Sequence, residues 1–131
     1  MDDNHIADRL IAAIAARLTP CMPGGFIVAA SHGVAEVRHH GSVIAGTSVA
    51  FMMEDPRNCD SVGVAAVTLS VLSDVQDAIA IELKTPWPAA AHVQPMPHTR
   101  VVDGRLWAWY GNEESPVLMS EPMDLREIIE A

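Results

Sequence analysis

Lysine, cysteine and aromatic side chains are scarce in this sequence, and each shortage closes off a class of function. Lys84 is the only lysine, and the other bases, Arg9, Arg17, Arg38, Arg57, Arg100, Arg105 and Arg126, stand singly along the chain. Against them are 17 acidic residues, for a formal charge of −9. A phosphate backbone is held by clustered Lys and Arg that release its counterions, and no such stripe exists, so no nucleic acid is expected as a partner. The same lack disfavours an anionic membrane surface. Cys21 and Cys59 are too few for a disulfide framework and have no CxxC spacing, so both are expected as free, reduced thiols of a cytoplasmic protein. No phosphate loop, dinucleotide fingerprint, nucleophile elbow or HExxH run occurs, and no cofactor is expected. Gly24 and Gly25 follow Pro23 and precede a strand pattern, whereas a phosphate cradle precedes a helix, so they read as a turn. Asp2, Asp3 and Asn4 stand where an export signal would carry positive charge. The apolar run from Val62 to Leu72 is too short to span a bilayer, which predicts a soluble chain.

What is abundant is small aliphatic residue. Half of the 131 residues are hydrophobic and 19% are charged, below the roughly 25% usual in soluble domains. The length suits one domain, which at this mass buries about two thirds of its unfolded surface. The apolar surplus predicts self-association, most simply as a homodimer. Alanine and valine richness, with arginine favoured over lysine, suggests a GC-rich bacterial genome.

Hydrophobic spacing divides the chain into elements. Residues 4 to 18 read as a helix with Ile6, Leu10, Ile11, Ile14 and Leu18 on one face, capped by Asp2, Asp3 and Asn4 and stopped by Pro20. From Phe26 to His40 the pattern folds into a hairpin about His32 and Gly33, setting Ala30 against Ala35, Val28 against Val37 and Phe26 against His39. Gly41 allows a second turn, and Ser42 to Met52 follows as a third strand. Asp60 or Ser61 caps a long helix running to about Lys84, with Val62, Ala65, Leu69, Leu72, Ile79 and Leu83 as its apolar repeat and its N-terminal half apolar nearly all round. Pro86, Pro88, Pro95 and Pro97 then impose an extended crossing that carries Trp87. Asp103 and Gly104 mark a two-residue hairpin pairing Val101 with Leu106, and a turn through residues 111–115 leads to a strand from Pro116 to Met119. Asp124 and Glu127 start a short helix with Leu125, Ile128 and Ile129 on one face. The result is an α+β fold of order αβββ-αβββ-α, with antiparallel meander sheets packed on a long central helix.

The candidate binding residues are Trp87, Trp107, Trp109, His39, His92 and His98. Trp107 and Trp109 lie two apart on one strand and point the same way while Tyr110 points the other, so both faces carry bulk, and the pair reads first as core packing. His39 and His40 are neighbours on a strand and should face opposite sides, which argues against a shared metal. His39, His92 and His98 could gather in a groove if the proline segment crosses the first sheet, giving a small enzyme or ligand carrier. Asp74 and Asp77 share a helix face and Glu113 and Glu114 occupy a loop without a basic neighbour, and all four read as solvated charge. No catalytic residue and no metal ligand is assigned.

The order of a helix, a meander, a long helix, a second meander and a terminal helix is similar to that of small dimeric secretion-chaperone-type α+β proteins. This resemblance implies a sheet that binds partner segments and dimerisation through a helix. The expected function is a non-catalytic, chaperone-like protein-binding module, homodimeric, with a protein partner.

Overall fold

The computed structural model describes residues 3–88 and 94–129, with side chains from Ile6 onward. Of the expected cap residues Asp2 lies outside those described residues, as does the candidate His92, whereas Asp3 and Asn4 fall within the first helix. Helix α1 (Asp3–Leu18) runs into a 3-10 turn at Thr19–Cys21, followed by the meander β1 (Phe26–Ser31), β2 (Val34–His39) and β3 (Ser42–Ser48). A short helix α2 (Val49–Met53) and a turn at Pro56–Asn58 precede the long helix α3 (Ser61–Leu83). The second meander is β4 (Pro97–Val102), β5 (Arg105–Gly111) and β6 (Pro116–Met119), followed by β7 (Met123–Asp124) and helix α4 (Leu125–Ile129). The α+β architecture and its order are those expected, and α3 packs on both sheets.

The first hairpin has the anticipated register, with Phe26 opposite His39, Val28 opposite Val37 and Ala30 opposite Ala35. His32 and Gly33 take φ of 52° and 78°, the two positive values that a two-residue turn needs to match the twist of its strands. The outer edge of β1 is capped at its middle, where the Thr19 hydroxyl accepts the Val28 N–H at 3.1 Å. The third strand is shorter than expected. It stops at Ser48, because its partner β2 begins at Val34 and offers no ladder beyond that point. The Gly33 carbonyl then accepts the Ala50 N–H at 2.9 Å, and residues 49–53 coil into α2 with Val49 and Met53 buried one turn apart. Phe51, within the span expected as strand, is 72% exposed on α2.

In α3 the N-cap is Asp60, whose carboxylate accepts the Gly63 N–H at 2.7 Å, and the helix ends at Lys84 in the left-handed conformation. Gly63 serves packing as well. A Cβ there would lie 2.2 Å from the Cα of Asn58, so the helix start and the preceding turn touch backbone to backbone. The buried stripe differs from the expected one. It runs through Val64, Val67, Val71, Leu72, Val75, Ala78 and Ile79, while Val62 and Leu83 are exposed and Ala65 and Leu69 half-buried. Burial also continues into the second half, where Gln76 is buried and donates to the Pro95 carbonyl. A helix apolar on all sides has no phase in its sequence, and only its neighbours choose the buried face. By length and composition α3 could cross a membrane, but half of its most apolar window is buried within the fold.

The second meander repeats the plan of the first. Asp103 and Gly104 take φ of 52° and 77°, close to the values at His32 and Gly33, and Val101 pairs with Leu106 as anticipated. Since a Cβ at Gly104 would meet nothing within 4 Å, Gly104→Val is opposed only by backbone strain, of about 1–2 kcal/mol. Chemical denaturation reads the cost directly, and amide exchange shows whether Val101 and Leu106 keep their protection. The edge of β5 away from β4 is shared, with β6 pairing at Trp109 to Gly111 and β7 at Arg105 and Leu106. Arg17 Nε donates to the Pro122 carbonyl at 3.0 Å in the gap between β6 and β7, and Arg9 Nε to the Ile128 carbonyl at 2.8 Å in α4. One hydrophobic cluster joins Leu10, Ile14, Val37, Val71, Leu106 and Ile128, and so draws on both meanders and on helices α1, α3 and α4.

Candidate functional site

Strand β5 lies between β4 on one side and β6 with β7 on the other, so its side chains alternate between two opposed faces. Leu106, Ala108 and Tyr110 enter the core, where the Tyr110 hydroxyl donates to the Leu72 carbonyl of α3 at 2.7 Å. Trp107 and Trp109 therefore point outward. This corrects the reading of Trp107 as core, while Trp109 is buried as expected. Trp109 is only 6% exposed yet stands outside the hydrophobic core cluster, because its cover comes from neighbours on the outer face.

Those neighbours follow from strand register. His98 of β4 is opposite Trp109, with ring centroids 5.6 Å apart and planes 26° apart, and Met119 of β6 is opposite it on the other side. The Trp109 Nε1 donates to the Gly111 carbonyl at 3.2 Å, which fixes the indole's tilt. Arg100 is opposite Trp107 and pairs with Glu113 in the turn between β5 and β6. Glu113 thus has the basic neighbour that the sequence did not suggest. Arg100, Val102, Trp107, Trp109, Glu113 and Met119 line an open depression of about 310 Å³. Val102, Val117 and Met119 are each more than 40% exposed, and Trp107 is half-buried. An indole face, a thioether and valines, framed by one ion pair, suit the binding of apolar or aromatic side chains.

Three of the six candidate residues, His98, Trp107 and Trp109, meet on this face. Trp87 does not, since it is buried with its ring 5.4 Å from that of Tyr110 on the inner side. His39 lies on the first sheet, stacked on Phe26 at 4.1 Å, with its Nδ1 3.0 Å from Glu82 of α3. Its ring is also 4.3 Å from that of His40, contrary to the expectation that the two diverge, because His40 has left the strand for a turn at φ 49°. Among the described residues no three His, Cys, Asp or Glu side chains are grouped to hold a metal ion. The Cys21 and Cys59 thiols donate to the carbonyls of Arg17 and Met53.

Arg100, Val102, Glu113 and Met119 were not singled out from sequence. The Asp103–Gly104 turn would have found the two on β4, since counting back from it sets Arg100 beside Trp107 and His98 beside Trp109. Glu113 and Met119 depend on the register shift at Tyr110 and Gly111, which has no sequence signal. No protein-family model, curated protein or solved structure matches the chain.

Proposed function

We propose that the chain is a non-catalytic protein-binding module, chaperone-like and homodimeric, whose contact surface is the outer face of β4, β5 and β6. The observation that carries this reading is the outward direction of Trp107 and Trp109. The molecule supplies its own comparison. The first sheet has the same meander and the same turn, and the outward positions of its central strand hold Glu36 and Arg38, paired at 2.7 Å. A face that only meets water is served by such a pair, whereas a half-buried Trp107 beside the exposed Val102, Val117 and Met119 at the matching place favours a partner that removes them from water. A second copy related by a two-fold axis is the simplest such partner.

Trp107→Ala tests this reading. Trp107 lies outside the core, so the substitution is expected to shift stability by no more than about 1 kcal/mol. Sedimentation at micromolar concentration should show association in the parent chain and its loss in the variant. A chain monomeric at every concentration would remove the homodimer. Proximity labelling in the native cell, compared between parent and variant, then decides the protein-binding reading, and identical neighbours for both would end it.

The pairing of His39 with Glu82 is the observation that favours a histidine-centred enzyme or carrier. The His39 ring, however, is held between Phe26 and His40, a setting that suits a tether between β2 and α3. The tryptophan face has no comparable structural task.

A further inference from the structure

A groove of about 400 Å³ runs between β3 and the second half of α3, well apart in the chain from the tryptophan face. One wall is Ile44, Ala45 and Gly46, and the other is Asp74, Asp77, Ala78, Ile81 and Glu82. β3 is an edge strand. Antiparallel pairing directs the N–H and C=O of Ala45 and Thr47 to Val37 and Ala35 of β2, which turns those of the intervening Gly46 outward, along the groove. On the opposite edge of this sheet Thr19 takes the Val28 N–H, but among the described residues no group does the same for Gly46.

The helix wall alternates carboxylates with apolar groups, and Ile81 is 76% exposed. Among the described residues none of the three carboxylates forms an ion pair with an arginine or lysine. Asp74 accepts the Thr47 hydroxyl at 2.7 Å, Glu82 faces His39, and Asp77 accepts only a 3.4 Å contact from the Gln94 amide. The arginine ion pairs go elsewhere, to Glu36, Asp55, Glu113 and Asp124. An open strand edge opposite a wall of apolar and acidic groups matches an extended chain whose basic side chains lay their methylene stems on Ala78 and Ile81 and their heads on the carboxylates.

We propose that this groove receives an extended, lysine- or arginine-bearing segment of another protein, added as a fourth strand beside β3. The backbone of the segment pairs at Gly46, and Asp74, Asp77 and Glu82 select its charge. The site is independent of the tryptophan face.

The probe is a short peptide of alternating lysine and valine, with a glutamate–valine twin and a twin N-methylated at alternate residues to block pairing. Binding is followed by calorimetry and by the Gly46 amide resonance. The lysine peptide should bind and move that resonance, about tenfold more weakly in Asp77→Asn, an isosteric change at an exposed site, and more weakly again at high salt. Neither twin should compete, and Trp107→Ala should bind the lysine peptide as the parent does, so a failure of the tryptophan-face reading leaves this result intact. Equal binding of the N-methylated twin with a silent Gly46 would reduce the effect to diffuse charge attraction and overturn the proposal. So would equal binding of the glutamate twin, an unaltered affinity in Asp77→Asn, or no binding at all.

Discussion

Val71→Glu should unfold the chain, and Val64→Glu should do the same. Neither valine has any exposed surface, and each lies in the stripe of α3 that the rest of the chain covers. A carboxylate there has no basic partner and no water. Ionised or protonated, it costs several kcal/mol, a large part of the roughly 5–15 kcal/mol that holds a domain of this size together. Far-ultraviolet circular dichroism should show loss of helix at room temperature. A variant that kept its spectrum and merely changed from dimer to monomer on sedimentation would instead put this face between copies, the place where the apolar surplus first suggested an interface.

Tyr110→Ala is the second large effect, about 4 kcal/mol of stability, because it deletes a fully buried ring that meets Trp87 edge-on and donates to α3. Tyr110→Phe should cost about 1 kcal/mol, since it loses one hydrogen bond and leaves a carbonyl still bonded within its helix. Alkali separates the two contributions. Burial first, and the Asp77 charge second, hold the Tyr110 phenol well above its ordinary pKa of 10.0. The folded chain then keeps a proton that the unfolded chain releases near pH 10.0, so the stability tied to this group is complete below that pH and declines above it. Denaturation midpoints measured across the alkaline range should fall in the parent, and this decline should be shallower in Tyr110→Phe. Equal slopes would show that Tyr110 is not the group responsible.

Much of the fold is legible in the residues because local signals agree with one another. His32–Gly33 and Asp103–Gly104 each fix a turn, and a two-residue turn fixes the pairing of every residue in the hairpin it closes. Asp60 fixes where α3 begins. What could not be read was decided by neighbours. Val49 to Met53 suit a strand or a helix, and the end of the β2 ladder chose the helix. The face of α3 was read wrongly because valine and alanine surround that helix, and the stripe drawn from Val62 through Ala65 and Leu69 lies partly in solvent. At the site, alternation alone put Trp107 and Trp109 on one side of β5. Which side faced water followed from Tyr110, whose hydroxyl reaches Leu72 at 38 residues' separation, a distance over which a sequence pattern has no reach.

The Thr19 hydroxyl on Val28 has a consequence for how this protein could misassemble. A sheet propagates into a fibre only when every copy offers two free edges, one to receive and one to give. With the Val28 N–H of β1 taken by a threonine that precedes it in the chain, the first sheet accepts a strand more readily at β3 than at β1. Growth through this sheet is therefore expected first at β3, as one added strand or a closed pair of copies meeting β3 to β3. Thr19→Val would leave the Val28 N–H without its acceptor and so expose a template that the parent chain hides, and that variant is the one in which slow, thioflavin-positive aggregation should first be looked for.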